Sequence, residues 1–482
     1  MAYIIKTSAV IWAVKLTLLA IPLNLLSCEQ LLLDTSSQYI THPARLLLYI
    51  HSTSYAPPDV TFTISEIQLQ TGDDKWIKLD DSLTDIDATA LIDKQIFLRE
   101  LPVAPGLYKG IKFIISRAFI KSKDVRSNLA VPQPNGEVVI KSHVIFERNK
   151  SYVVSLVWNP DIAVEKGYLF QASSLEIETQ THAAVGLLLF VSNSASDYIS
   201  IIDRSLERII GAVTVGHKPM GMVLNSTQER LYIVNSGSKD ISIVDTTQFS
   251  VIYTIPLAAG LEPTDIAIMP DDKNLIEGKL YIINRLSNDV TVIDTTTKRI
   301  VKTVAVGTRP SAIAVNSTRK EVYVANERSN NISIISAIDD SLSATIAVDM
   351  RPVGLTVASD KVYVFNEGSN RISVVSPSLR KVVSTISIGD PPQRGMRGFS
   401  NRFFVLNTSA NTLTFLNSFD VTTRTITLGH KPTGIVGDEK RNRLYITNYG
   451  SNTITLVDPI GERVLKELTV GKSPYAILSV ER

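Results

Sequence analysis

The sequence predicts an all-β protein in which a seven-bladed β-propeller follows a smaller β-sandwich. Three observations predict this fold. A unit of about 40 residues recurs seven times in the carboxy-terminal part of the chain. Residues 40–180 alternate apolar and polar positions between clusters of turn-forming residues. No stretch of 12 residues in that region shows a convincing helical stripe, so the sequence predicts strands there as well.

The overall composition is that of a packed globular protein. Of its 482 residues, 44% are hydrophobic and 20% are charged, which excludes extensive disorder. The 49 basic and 47 acidic side chains give a net charge of +2, which argues against a protein that coats nucleic acid. The single cysteine, Cys28, excludes an intrachain disulfide, a cysteine-based zinc cluster and covalent c-type haem.

The amino terminus carries a secretion signal. Lys6 and Lys15 supply positive charge, and the apolar stretch Leu16–Leu26, too short to span a membrane comfortably, ends at the small residue Ser27. We therefore predict a signal peptide over residues 1–27.

The sequence Leu25-Leu26-Ser27-Cys28 resembles a bacterial lipobox. The resemblance implies that Cys28 becomes the amino terminus and carries lipid, with residues 28–39 as lipidated cysteine and tether. Glu29 follows instead of Asp, which favours the outer membrane of a Gram-negative envelope, facing the periplasm or the cell surface. The alternative is an ordinary signal peptide or anchor that happens to contain a cysteine.

Residues 183–482 contain the repeat that predicts the propeller. Each unit has a strand of the form apolar-Tyr-apolar-x-Asn, a short polar loop, two further strands and a Pro-led strand. Four strands in a period of about 40–45 residues are typical of a propeller blade. The seven asparagines are Asn193, Asn235, Asn284, Asn326, Asn366, Asn407 and Asn448.

Segments such as LYIVN at 231–235, VYVAN at 322–326 and VTVID at 290–294 resemble the YVTN family of β-propeller repeats. The resemblance covers about residues 183–482 and implies a closed seven-bladed ring. The first copy lacks a Pro-led strand and the last copy has an extra one, Pro474–Val480. We therefore expect this last strand to complete the blade that Leu187–Ser192 begins.

Residues 40–182 are predicted to form the β-sandwich. The expected strands are Val60–Leu69, Leu107–Ile115, Glu137–Glu147, Tyr152–Val157 and Leu169–Ile177. The segments VTFTISEIQL, LPVAPGLYKGIKFII and VPQPNGEVVI resemble the DUF4382 type of envelope domain, which implies a fold and no activity. Trp76 and Trp158 offer surfaces that stack on a sugar, although packing is the favoured role.

Ligands of propellers usually bind where loops rim the central channel. One set of such loops contains Lys218, Arg309, Arg351, Lys431 and Lys472, together with His217 and His430 in two GHKP segments. These cations suggest an anion site. Both loop sets together hold ten basic and eight acidic residues, so we expect most of these charges to be paired locally or solvated. The two histidines come from different blades and are not expected to share a metal ion.

The innermost, Pro-led strands contain one outlier. Their second position after proline is small in most units but is Asp265 in one, and Arg394 is expected in the same column. The two side chains are predicted to contact a ligand or each other across the channel. The alternative is that Asp265 only accepts hydrogen bonds from nearby backbone.

The sequence contains no GxSxG, P-loop, GxGxxG or HExxH motif, and we predict no catalytic residue, metal ligand or cofactor. The leading hypothesis is a non-enzymatic envelope lipoprotein whose propeller face engages a protein, a polysaccharide or a small ligand. The alternative is a propeller enzyme, since the fold resembles that of lactone hydrolases and of haem-binding nitrite reductases.

Overall fold

The computed structural model describes residues 43–123, 125–179, 186–258, 260–274 and 276–481. The predicted signal peptide (1–27) and the lipidated cysteine with its tether (28–39) lie outside these ranges. Within them the chain forms forty β-strands and three short 3-10 turns, at Thr89–Leu91, Pro160–Ile162 and Ala172–Ser174. None of the helical turns in this described part has the length and hydropathy needed to cross a bilayer.

Two sheets form the sandwich. The first has the strand order β12-β9-β1-β5, with β1 and β9 parallel. The second has the order β3-β2-β6-β7, with β4 on β2 and β8 on β6, and β10 pairs with β11 separately. The strands are β1 Ala44–Ser52, β2 Val60–Thr71, β3 Trp76–Asp80, β4 Thr84–Asp87, β5 Gln95–Val103, β6 Gly106–Ser122, β7 Val125–Leu129, β8 Glu137–Phe146, β9 Ser151–Trp158, β10 Val164–Glu165, β11 Leu169–Phe170 and β12 Leu175–Thr179.

Aromatic side chains fill the core between these sheets. Trp158 is fully buried and meets Phe62 edge-on, with 4.8 Å between ring centroids. Trp76 is half-buried beneath the Lys112 ammonium, 4.4 Å from the ring centroid. Both tryptophans therefore pack within the domain. The expected strand Leu169–Ile177 is interrupted by the 3-10 turn at Ala172–Ser174, so β11 and β12 belong to different sheets.

Seven four-stranded antiparallel sheets follow in the described residues, and these are the blades. Blade 1 consists of β40 Pro474–Glu481, β13 Leu187–Asn193, β14 Tyr198–Asp203 and β15 Arg208–Thr214. Blade 2 consists of β16 Pro219–Leu224, β17 Arg230–Asn235, β18 Asp240–Asp245 and β19 Ser250–Pro256. Blade 3 consists of β20 Pro263–Pro270, β21 Gly278–Asn284, β22 Asp289–Asp294 and β23 Arg299–Ala305. Blade 4 consists of β24 Pro310–Asn316, β25 Glu321–Asn326, β26 Asn331–Ser336 and β27 Ser341–Ala347. Blade 5 consists of β28 Pro352–Ala358, β29 Lys361–Asn366, β30 Arg371–Ser376 and β31 Lys381–Ser387. Blade 6 consists of β32 Arg394–Gly398, β33 Arg402–Asn407, β34 Thr412–Leu416 and β35 Thr422–Thr427. Blade 7 consists of β36 Pro432–Asp438, β37 Arg443–Asn448, β38 Thr453–Asp458 and β39 Arg463–Thr469.

The Pro-led strands line the axis of the ring. Each lies beside the Pro-led strand of the next blade, and space there is short. A Cβ atom on Gly221 would lie 2.7 Å from the Asp265 Cα atom, and one on Gly354 would lie 2.0 Å from the Gln393 carbonyl oxygen. Glycine is therefore required at these two places by the close approach of neighbouring blades.

The ring closes as the repeat predicts. Strand β40 pairs antiparallel with β13, and Leu478 lies opposite Phe190. An ion pair ties blade 1 to blade 7, because an Arg204 Nη1 atom lies 2.7 Å from Asp438 Oδ2 and both side chains are at most 1% exposed. Arg204 Nη2 also donates to the Val480 carbonyl oxygen at 3.0 Å.

Each blade is tied internally by its repeated asparagine. All seven asparagines are fully buried, and the side-chain nitrogen donates to a Ser or Thr hydroxyl seven residues later, at 2.7–3.0 Å. The hydroxyl on the neighbouring strand proves to be the shared partner, so the asparagine joins two strands as well as setting the turn.

The sandwich packs against blades 1 and 7 through a shared apolar cluster. Leu47, Tyr49 and Val153 of the sandwich meet Tyr198 and Tyr445 of the propeller there. Gln95 adds a polar contact, because its side-chain amide donates to the Ile209 carbonyl oxygen at 3.2 Å and accepts from the Ile209 N–H at 2.8 Å. Gln95 thus pairs with the outer edge of blade 1 as a backbone amide would.

Candidate functional site

Two sets of loops meet at one end of the propeller, and we call this end the channel-mouth face. One set joins each outer strand to the next inner strand, and the other joins the second and third strands of a blade. Backbone hydrogen bonds of 2.9 Å connect the two sets, from Ser236 to Lys218, from Glu327 to Arg309 and from Tyr449 to Lys431. The predicted convergence of these loops is therefore present.

Four of the predicted cations occupy the same backbone position, directly before the proline of an inner strand. They have positive φ angles between 53° and 57°, a region that costs a side chain about 1–2 kcal/mol. The backbone N–H of each donates to an Asp or Asn side chain in the preceding blade, at 2.7–2.9 Å. These cations and their acceptors are Lys218 with Asp197, Arg309 with Asn288, Arg351 with Asn330 and Lys431 with Asn411.

Lys472 differs from those four residues by one position. In this repeat Ser473 is the residue directly before the proline. Lys472 lies one residue earlier, at the position that His217 and His430 occupy in their repeats. Its backbone N–H donates to Ser196 Oγ at 2.8 Å. The Lys472 side chain is exposed.

Three arginines converge on Glu327. Its carboxylate lies 2.8 Å from Arg285, 3.2 Å from Arg309 and 3.6 Å from Arg351, and Arg351 also pairs with Glu367 at 3.0 Å. Burial opposes ionisation of Glu327, but the hydrogen bond and charge of Arg285, with the charges of the other two arginines, hold its pKa below the ordinary value. Local pairing therefore accounts for these arginines, as expected.

Six other cations of the face have no such partner. Each is exposed, and none has a carboxylate within 4.0 Å in the part of the chain that the structure describes: Lys218, Lys239, Arg328, Arg371, Lys431 and Lys472. Several acids of the face are already committed to hydrogen bonds with uncharged or histidine side chains, namely Asp197, Asp240, Asp289 and Asp390. Hydrogen bonds to uncharged groups do not remove the charge of these acids, so the formal charge of the face stays at the ten basic and eight acidic residues of the sequence count, and its six unpaired cations are exposed to solvent.

The two histidines of the GHKP segments have different surroundings. His217 Nδ1 lies 2.9 Å from Asp197 Oδ2, whereas His430 is exposed and lies over Gly450. Among the described residues, no three His, Cys, Asp or Glu side chains lie close enough together to hold a metal ion.

Inside the channel, Asp265 and Arg394 occupy the same column of the inner strands. Asp265 lies opposite Ile283 and Arg394 opposite Leu406, and each of these partners directly precedes the repeated asparagine of its blade. Arg394 Nη2 lies 3.6 Å from Asp265 Oδ2, so the predicted contact across the channel is present. Asp265 Oδ1 also accepts from the Ile266 N–H, as the structural alternative expected.

Tyr475 completes this channel group. The Arg394 guanidinium lies 5.9 Å from the centroid of the Tyr475 ring. Burial raises the pKa of Asp265, and Arg394 opposes that shift. Burial likewise raises the pKa of the Tyr475 hydroxyl. The group brings a carboxyl group, a guanidinium and a phenol ring close together on the inner strands.

Comparisons with known proteins agree with this architecture. The sequence is 32% identical over 93 residues to the seven-bladed beta-propeller protein Rv1057 of Mycobacterium tuberculosis, an alignment that covers 19% of this chain and only 23% of that relative. A functionally unknown protein from Desulfotomaculum acetoxidans superposes with a TM-score of 0.54 and 12% identity, covering 61% of this chain and 99% of that one. A protein from Lactobacillus plantarum superposes with a TM-score of 0.52 and 14% identity, with the same two coverages of 61% and 99%.

These structural likenesses concern the fold alone. A family model described as a YNCE-like beta-propeller matches residues 178–481, which include all seven described blades. The chain therefore belongs to the YNCE-like β-propeller family.

Proposed function

We propose that this protein is a lipid-anchored binding module of the bacterial envelope, and that its channel-mouth face binds an anionic partner. The observation that carries the proposal is the set of six exposed cations without carboxylate partners on one rigid face. Unpaired surface cations attract anions over a Debye length of about 10 Å. Blades fixed by inter-strand and inter-blade hydrogen bonds hold these charges in place, so little ordering is required on binding.

The channel group supports a binding role for the inner surface too. Asp265 and Arg394 compensate each other's charge, and the Tyr475 ring lies beside them. Such a group suits recognition of a polar moiety of the ligand that enters from the charged rim. The anchor is proposed from Cys28 and its lipobox-like setting. A multiply acylated cysteine tethers a chain almost permanently, because each buried methylene contributes about 0.8 kcal/mol.

The experiment uses residues 29–482 and three fluorescent anionic probes: polygalacturonate, an acidic protein and vesicles that contain phosphatidylglycerol. We expect at least one probe to bind with an affinity that falls steeply as salt rises. The triple variant Lys218→Glu, Lys431→Glu, Lys472→Glu should weaken that binding by about two orders of magnitude. Absence of binding to all three probes, or binding that the triple variant leaves intact, would contradict the proposal.

A matched control comes from the opposite end of the propeller. Lys273, Lys361 and Lys381 are also exposed and have no carboxylate within 4.0 Å among the described residues. Their triple change to Glu alters the net charge equally and should leave binding unchanged. In the producing cell, Cys28→Ser should release the protein from the membrane fraction. Retention of the serine variant there would remove the lipid from the proposal.

A further inference from the structure

We propose that the anionic partner of the channel-mouth face is a phospholipid surface, so that the propeller lies with this face against the membrane. The inference rests on the proposed function, because it names the partner of the same six cations. Three independent features support it: where strand β1 begins, how the free cations are distributed, and which apolar side chains accompany them.

The chain enters the sandwich beside the channel-mouth face. The Arg45 guanidinium, at the start of β1, donates to the carbonyl oxygen of Ser196, and Ser196 Oγ accepts from the Lys472 N–H. The far end of β1 lies at the opposite end of the propeller, since Gln95 pairs with His51 and also with Ile209 at the beginning of β15. Ala44, the first residue of β1, therefore lies at the channel-mouth end of the propeller.

This point of entry limits how far the face can be from a lipid anchor. Cys28 precedes Pro43 by 15 residues, and an extended chain of that length reaches at most about 50 Å. An acyl chain on Cys28 would hold the channel-mouth face nearer to the bilayer than the opposite face. The length of this tether then determines the effective concentration of lipid headgroups near the face.

The free cations are spread around the ring instead of being gathered in one groove. They come from three blades (2, 4 and 5) and from three junctions between blades (1 with 2, 6 with 7 and 7 with 1), with blade 3 contributing none: Lys218, Lys239, Arg328, Arg371, Lys431 and Lys472. A linear polyanion is best bound by a continuous track of charge. A circle of exposed cations instead matches a two-dimensional array of headgroups, where each basic residue adds to the attraction.

Exposed apolar side chains accompany these cations, and two of them, Leu261 and Leu286, lie in loops of blade 3 and of its junction with blade 2, where the face has fewest free cations. Leu261 is 51% exposed, Leu286 is 63% exposed and Met350 is 58% exposed. The Leu286 N–H donates to the Leu261 carbonyl oxygen at 3.0 Å, which brings the two leucine-bearing loops together. Apolar side chains flanked by cations suit the membrane interface, where acyl chains lie just beneath the headgroups.

The opposite face offers a competing apolar surface. Five large side chains at hairpin tips, on five consecutive blades, are 57–84% exposed: Leu206, Ile338, Leu379, Phe419 and Ile460. The acids beside two of these tips are ion-paired within the protein, Asp340 with Lys279 and Glu462 with Arg402. The chain does not enter the sandwich at that end. We therefore assign the membrane to the channel-mouth face and use these tips as a control.

The test is flotation of residues 29–482 with vesicles of phosphatidylcholine alone or mixed with phosphatidylglycerol. Every described strand begins at or after Ala44, so this chain retains the whole described fold. We expect binding only to the anionic vesicles, and we expect salt to release it. Lys218→Glu, Lys431→Glu, Lys472→Glu should weaken the binding about 100-fold, and Leu286→Ser should weaken it less. Lys273→Glu, Lys361→Glu, Lys381→Glu and the pair Phe419→Ser, Ile460→Ser should leave it unchanged.

Each contrary result has a distinct meaning. Salt-sensitive binding of polygalacturonate or an acidic protein without binding of anionic vesicles would overturn this inference and leave the proposed function standing. Equal binding to both vesicle types, or loss of binding in the Phe419 and Ile460 variant, would also overturn it. Failure to bind any anionic probe would overturn both. Thermal melts of each variant, compared with the parent chain, establish that a loss of binding is not a loss of folding.

Discussion

The histidine His51 is buried where the sandwich packs against the propeller, and this burial lowers the pKa of its imidazole. It is 3% exposed, and its Nδ1 atom has no hydrogen-bond partner in the described part of the chain. Glu178, Asp203 and Arg208 line the same small cavity. Burial, followed by the positive charge of Arg208, lowers the pKa of His51 to about 4.

This shift predicts loss of stability in mild acid. The unfolded chain binds a proton near pH 6.5, whereas the folded chain resists it until about pH 4. Stability is therefore fully present above pH 6.5 and is lost as the pH falls towards 4. We expect the titration of His51 to make the free energy of unfolding about 2 kcal/mol lower at pH 5 than at pH 7. Urea denaturation at the two pH values measures this difference.

Two histidine variants isolate this effect. His51→Leu should flatten the dependence of stability on pH between 6.5 and 4, since it removes the buried titrating group. His143→Leu, at an exposed position, should leave that dependence as it is. An equal slope in the His51→Leu variant and the parent chain would show that other groups cause the acid sensitivity.

The repeat predicts the location of a single residue best when that residue occupies the same aligned position in every blade. Aligning the inner strands is enough to put Asp265 and Arg394 in one column, and their contact follows from the ring. Which cations of the rim remain unpaired does not follow from the alignment. Arg309 and Lys431 occupy equivalent positions, yet only Arg309 has a glutamate within reach, because that glutamate comes from the neighbouring loop.

At the scale of the elements, the buried asparagine is the part of each blade that joins the second strand to the third. In blade 6, Asn407 donates to Thr412 Oγ1 at 3.0 Å and to Thr414 Oγ1 at 2.8 Å. Neither Asn407 nor Thr414 is exposed by more than 2%. Removing one partner of a buried hydrogen bond leaves the other desolvated and unpaired.

We expect Asn407→Ala to lower the free energy of unfolding by about 2 kcal/mol, from the lost hydrogen bonds and the void that remains. The urea midpoint of the intact protein measures this loss. Asn284→Ala, at the equivalent place in blade 3, should cost a similar amount. Asn128→Ala, on the exposed strand β7, serves as the control and should change the midpoint little. A cost at Asn407 no greater than that at Asn128 would refute the structural role.

The sequence contains a signal for this contact that the strand pattern alone does not reveal. A Ser or Thr stands seven residues after every repeated asparagine, as in Asn193 with Ser200 and Asn448 with Thr455. Alternation predicts which residues face the core, but pairing a side chain with its partner needs the register between two strands. The parallel partner of β9 in the sandwich is β1, which comes from the beginning of the domain, so no local pattern predicts this pairing.

At the scale of the whole molecule, ring closure depends on contacts between residues more than 200 positions apart. Arg204 of blade 1 and Asp438 of blade 7 form a buried ion pair of 2.7 Å. Because both side chains are at most 1% exposed, loss of Asp438 leaves the buried Arg204 guanidinium with only the Glu481 carboxylate, at 3.5 Å and 38% exposed, as a charged partner among the described residues.

We therefore expect Asp438→Ala to destabilise the protein by about 3–5 kcal/mol, read as a lower melting temperature and urea midpoint. The double variant Arg204→Met, Asp438→Leu should recover most of that loss, since it removes both charges and fills the space. As a control, Asp73→Ala breaks the pair between Asp73 and Lys75, which are 60% and 78% exposed, and should change the melting temperature and the urea midpoint little. Equal losses at Asp73 and Asp438 would contradict closure through this ion pair.

The sequence by itself determined the blade, its four strands and the number of blades, because a repeat of about 40 residues encodes contacts that are local to each unit. It also determined closure, since an unpaired strand at one end of the repeat requires the surplus strand at the other. Only the tertiary structure decided that the sandwich shares a core with blades 1 and 7, through Tyr49, Gln95 and Tyr198. The tertiary structure likewise decided which rim cations are compensated, because ion pairing depends on distances of a few ångströms between separate loops.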